Sequence, residues 1–184
     1  MTTPAFIPHE AEAKLDWLGL TEAFREGHAR PKAEIADSFL YRGDDTLLNR
    51  AAWIDGLGLA VKSATIFPGN QKRGLGAVNG GVSLYADDTG LLEAVVDFHL
   101  ITKWKTAGDS LLGALRLARP ASKEILIVGA GHVGHSLFEA YSAGFPGARF
   151  KVWNRTTAKA EAMAEELGIC VARDLETAVG EADI

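Results

Sequence analysis

The spacing of apolar and polar positions changes several times along the chain, and each change predicts an element. Over residues 8–30, Ala11, Leu15, Leu18, Leu20, Ala23 and Phe24 fall near helical spacing and predict a helix or two ending near Pro31. Residues 37–50 alternate less regularly, with Gly43-Asp44-Asp45 as the turn between two short strands. Residues 58–67 form a β-branched apolar strand around Lys62, stopped by Pro68-Gly69-Asn70. Residues 80–90 read as a strand closing on Asp87-Asp88-Thr89-Gly90, and 91–97 return as the second arm of a hairpin. From 99 to 118, leucines and alanines at 100, 107, 111, 112, 114, 115 and 118 predict a helix with an inward apolar face. Arg119-Pro120-Ala121-Ser122 then breaks the chain.

After that break the pattern becomes strand 125–128, a glycine turn, a helix through Gly144, strand 150–153 and a helix over 157–167. A third strand at 169–171, a helix at 175–179 and the start of a fourth strand at 182–184 follow. This βαβα order predicts a parallel sheet flanked by helices. The fold class expected is therefore α/β: a Rossmann-type, doubly wound parallel sheet over 121–184, preceded by an α+β domain over 1–120. A doubly wound nucleotide domain needs about five or six parallel strands, so the sequence is expected to be the front part of a longer chain.

Composition narrows the function classes. The chain has 184 residues, 47% hydrophobic and 23% charged, with a formal charge of -5 and no extended basic block, so nucleic acid is not an expected partner. The first residues are charged and lack an uninterrupted apolar run, so no signal peptide or membrane anchor is expected and a cytoplasmic location is. The single cysteine, Cys170, cannot form an internal disulfide and reads as the small apolar residue of a strand.

Gly129-Ala130-Gly131-His132-Val133-Gly134 is a G-x-G-x-x-G that follows a strand and opens a helix. In that setting Gly129 makes the tight turn, Gly131 admits a pyrophosphate and Gly134 lets the helix approach the sheet. Twenty positions on, where an NAD site usually places an acid, stands Asn154, followed by Arg155, Thr156 and Thr157. A guanidinium and hydroxyls suit a 2'-phosphate, so NADP(H) is the expected cofactor and NAD(H) the alternative. His132 and His135 are spaced by three, but with no third ligand in view no metal is expected.

Lys62 and its F-P-x-N sequel, the downstream hairpin, the helix containing Thr102-Lys103-Trp104-Lys105-Thr106-Ala107, and Trp153-Asn154-Arg155-Thr156 after the Rossmann turn resemble the ornithine cyclodeaminase/mu-crystallin family. The resemblance implies a cofactor domain joined to a substrate domain that also builds a homodimer, with a small amino or imino acid as substrate. It implies that Lys62 contacts the substrate carboxylate near the reacting carbon, and that the family's catalytic aspartate lies beyond residue 184. Two departures stand out. Lys105-Thr106 replaces the family's Arg-Thr, a point charge in place of a bidentate fork. The family's upstream arginine and Met-Pro pair are altered around Asn49-Arg50-Ala51-Ala52, leaving Arg42 and Arg50 as clamp candidates, with Arg50 taken because it is nearer the lysine strand. The implied activity is reduction of a cyclic imine or ketimine, or oxidation of the matching amino acid. The alternatives are the lyase ornithine cyclodeaminase and a non-catalytic, crystallin-like NADPH-binding protein.

Overall fold

The computed structural model describes residues 3–184. By packing, the chain divides into two compact units: one runs to Leu15 and resumes over Arg25–Thr102, and the other takes Asp16–Phe24 and Lys103–Ile184.

The first unit holds six strands, β1 (Ala5–Ile7), β2 (Glu34–Arg42), β3 (Asp45–Ile54), β4 (Gly58–Ile66), β5 (Val78–Tyr85) and β6 (Leu92–Asp97). They lie in the order β1-β6-β5-β4-β3-β2, antiparallel except where β1 pairs parallel with β6. Gly43, at a left-handed φ of 57°, makes the tight turn that sets Arg42 opposite Asp45 and, further along, Asp37 opposite Arg50. Directly opposed residues share a face, so Asp37, Arg50, Lys62 and Val82 form one row across four strands. The row continues into Val96, and both valines are buried.

Helix α2 (Phe98–Leu117) follows β6 directly, and the Asp97 carboxylate caps its start by accepting the Leu100 N–H at 2.8 Å. Phe98 is buried over β5, where Gly80 makes room: a Cβ there would stand 2.7 Å from Phe98 Cδ2 and 2.0 Å from the Ser63 carbonyl oxygen. Strand β2, at the sheet edge, is exposed along its whole length and presents Ile35, Phe39, Leu40 and Tyr41 to solvent.

The second unit is built on β7 (Glu124–Val128), β8 (Arg149–Trp153) and β9 (Cys170–Val171), parallel and in that order. Helices α3 (His132–Gly144) and α4 (Thr157–Leu167) connect them, and α5 (Leu175–Glu181) follows β9. The chain then returns along the free edge of β7. Asp183 N donates to Glu124 O at 2.8 Å, and Leu126 N donates to Ile184 O at 2.9 Å. Winding outward to β9 and back across β7 is the reversal that defines a doubly wound sheet. Val152, Met163, Ala140 and Leu111 are fully buried in this unit.

Helix α1 (Trp17–His28) begins in the second unit because it packs on the later part of α2. Trp17 stacks on Trp104 with ring centroids 3.9 Å apart, and Gly108 lacks the Cβ that would meet Leu20 Cδ2 at 2.5 Å. The division by packing thus falls inside α2, whereas the break at Arg119-Pro120 marks the chain's exit from that helix.

Several expectations are refined. The segment 8–30 contains a short 3-10 helix (His9–Lys14) before α1, and β1 precedes it unannounced. The strands around Gly43 are nine and ten residues long rather than short. Cys170 does lie in a strand, but it is exposed, because β9 is the outermost of the three. Among the described residues no helix is long and apolar enough to cross a membrane.

Candidate active site

The glycine turn leaves β7 at the point where the strand order reverses. Gly129 holds φ 121°, a conformation that side chains rarely adopt, and its N–H continues the sheet by donating to Trp153 O at 2.8 Å. A Cβ on Gly134 would come 2.1 Å from Gly129 O, so only glycine lets α3 begin this close to the turn. Gly131 differs: its backbone is extended, and a Cβ would meet nothing within 4 Å. As the N-cap of α3 it offers no side-chain hydrogen bond, and the first turn contains no acid. The leading N–H groups of α3 therefore have neither a capping side chain nor a first-turn acid as partner, and the positive end of the helix dipole lies at this turn.

Around this turn Ala130 N donates to Asn154 Oδ1 at 3.2 Å, while Asn154 Nδ2 donates to Thr156 O at 2.9 Å. Asn154 is thus a strap between the turn after β7 and the turn after β8. Arg155 and Thr156 are exposed, and Thr156 is the N-cap of α4. His132 and Val133 are exposed on the first turn of α3. His135 places Nδ1 3.0 Å from Gly131 O and Nε2 3.2 Å from Glu166 Oε2. Among the described residues no group of three His, Cys, Asp or Glu side chains is placed to hold a metal ion.

In the first unit, half-buried Lys62 extends Nζ to Thr102 Oγ1 at 3.1 Å and lies 4.6 Å from the centroid of the Phe98 ring. A neutral hydroxyl and an aromatic face thus orient the ammonium. Its neighbour in the row, Arg50, is held by Asp37: Nε donates to Oδ1 at 2.7 Å and Nη2 to Oδ2 at 2.6 Å. These hydrogen bonds hold the Asp37 carboxyl below its ordinary range and raise Arg50 above its own. The other clamp candidate, Arg42, sits at the hairpin turn, paired with Asp45 at 2.9 Å. Lys105 belongs to the second unit, where it is exposed and lies 3.5 Å from Asp109 on the next turn of α2.

The structure therefore brings Arg50 and Lys62 together, and Asn154 to the glycine turn. Asp37, Phe98 and Thr102 were not anticipated as their partners. Asp37 could have been found by counting outward from the Gly43 turn; the others require the fold of α2 onto the sheet.

Residues 50–184 match the model of the ornithine cyclodeaminase/mu-crystallin family. Over its full length the chain is 44% identical to a Delta(1)-pyrroline-2-carboxylate reductase of Paracoccus denitrificans, of which it covers 60%. The iminosuccinate reductase of Paracoccus denitrificans in complex with NAD+ superposes with a TM-score of 0.80 at 25% identity, over 98% of this chain and 60% of that one. A Thermococcus litoralis Delta(1)-pyrroline-2-carboxylate reductase in complex with NADH and L-proline superposes at 0.81 with 22% identity, over 97% and 60%. The chain thus spans about 60% of the length of these proteins.

These structures overturn the expectation of NADP(H), since the dinucleotides they hold are NAD+ and NADH. The expectation took Asn154 and Arg155 together as a 2'-phosphate site. The Asn154 amide is instead engaged at both ends by backbone, and an exposed arginine beside it does not by itself make a phosphate site. The family match, the two-unit fold and the glycine turn at the strand reversal agree: the chain belongs to the ornithine cyclodeaminase/mu-crystallin family.

Proposed function

We propose that the full-length protein is an NAD(H)-dependent reductase of a small α-imino acid, most simply a cyclic imine such as pyrroline-2-carboxylate. What carries this reading is the presence in one chain of a dinucleotide turn and a half-buried lysine beside an arginine, in a sequence 44% identical to a reductase of that class. A reduced nicotinamide, when bound, supplies the hydride for the imino carbon.

The chain's own residues then have distinct tasks. The backbone of Gly129, Ala130, Gly131, His132, Val133 and Gly134 receives the pyrophosphate, and Asn154, Arg155 and Thr156 border the adenosine ribose. Lys62 and Arg50 neutralise and orient the substrate carboxylate, with Lys105 as a further point charge. Lys62, closest to the reacting carbon in this reading, is the catalytic residue among them. On this assignment residues 1–120 hold the substrate and build a homodimer, and residues 121–184 begin the cofactor domain. The exposed apolar side chains of β2 support contact with a second copy.

The test is nicotinamide oxidation by the full-length protein with pyrroline-2-carboxylate, NADH and NADPH being assayed separately. Turnover that favours NADH is expected. Absence of turnover with either would reject the reading, and conversion of ornithine to proline with no net change in nicotinamide absorbance would assign the protein to the lyase branch.

A further inference from the structure

Arg50 offers five N–H donors in a fixed plane. Asp37 takes Nε and one proton of Nη2, the side of the fork, with both contacts under 2.8 Å. A side-on pair fixes the plane of the guanidinium and leaves its other edge, Nη1 with the second proton of Nη2, open to a second carboxylate. The register places Asp37 on the strand beyond Arg50, away from Lys62, so the three side chains run anion, cation, cation across β2, β3 and β4.

An ion pair this exposed, with 59% of the Arg50 side chain and 28% of the Asp37 side chain accessible, contributes little to folding. Its effect is geometric: an arginine already held in one rotamer loses less side-chain entropy when it takes up a ligand. The raised Arg50 and lowered Asp37 titration agree with a pair that stays charged.

We propose that Asp37 is a positioning residue for the substrate carboxylate: by gripping Arg50 side-on it presents the free guanidinium edge, beside Lys62, to an α-imino acid. This rests on the reading that Arg50 and Lys62 receive that carboxylate.

In the full-length protein, Asp37→Ala is expected to raise KM for pyrroline-2-carboxylate about tenfold with kcat changed less than about threefold, the pattern of lost uniform binding. Asp37→Asn, which keeps one acceptor, falls between wild type and alanine. The double variant Asp37→Ala/Arg50→Ala is expected to be no worse than Arg50→Ala alone, and the dissociation constant of NADH unchanged throughout. An unchanged KM in Asp37→Ala, or the same penalty repeated in the Arg50→Ala background, overturns the positioning role. If Arg50→Ala and Lys62→Met both leave KM unaltered while imine reduction persists, the carboxylate reading itself fails and takes this role with it. Loss of NADH affinity in Asp37→Ala marks a general structural defect and equally rejects the proposal.

Discussion

At Gly134 a missing side chain decides whether α3 can start against the glycine turn. A Cβ there would meet the Gly129 carbonyl oxygen at 2.1 Å, and that oxygen belongs to backbone that cannot swing aside. Gly134→Ala is therefore expected to shift α3 and weaken NADH binding by about tenfold or more, read by fluorescence titration. Unaltered affinity would show that the dinucleotide does not use this turn. Gly131 is the contrast, since a Cβ there would meet nothing within 4 Å. The tight turn at Gly129 and the close approach at Gly134 were legible in the sequence because each follows from a strand, a turn and a helix read in order. Asn154 was not: its type and spacing are those of a ribose contact, and only the folded loops reveal that Ala130 N–H and Thr156 O occupy its amide.

Between elements, the same kind of close approach has different consequences depending on what lies opposite. A methyl at Gly80 would meet the Ser63 carbonyl oxygen at 2.0 Å as well as the Phe98 ring, forcing β5 away from β4 or α2 off the sheet. A methyl at Gly108 would meet the tip of Leu20, a side chain able to change rotamer, and would gain about 1 kcal/mol of helix propensity. Gly80→Ala is thus expected to destabilise by about 2–3 kcal/mol and Gly108→Ala by less than about 1 kcal/mol, measured by denaturant unfolding. Equal losses would contradict the distinction between backbone and side-chain obstruction. The hairpins and α2 were legible because their patterns are local: the turn at Gly43 alone fixes five further pairings out to Asp37 and Arg50. Strand β1 was not, since three residues carry no measurable period and its partner β6 lies far along the chain.

On the scale of the whole molecule, Asp183 ties the end of the second unit to the single stretch 119–124 that leads from α2 into β7. Its carboxylate accepts the Lys123 and Glu124 N–H groups at the start of β7 and meets Arg119 just after α2. The two backbone N–H donors, and then Arg119, hold its titration below the ordinary carboxylate range. A carboxyl with a lowered folded-state value stabilises above its unfolded value and loses that contribution as pH falls through the folded one. The melting-temperature gap between wild type and Asp183→Asn is therefore expected to be widest near neutrality and to narrow as pH falls below the ordinary aspartate value of about 3.9. A gap independent of pH would mean that the charge of Asp183 is not what matters. The doubly wound order was expected from the βαβα pattern, and the return past β7 through Asp183 and Ile184 agrees with it. The path of α1 and α2 through both units was hidden, because helical spacing says which face is apolar and not which neighbour covers it. The indoles of Trp17 and Trp104, stacked at 3.9 Å and 16° where those helices meet, make that junction optically distinct. Two such chromophores couple their transitions, so a split circular-dichroism band would report the docking of α1 on α2.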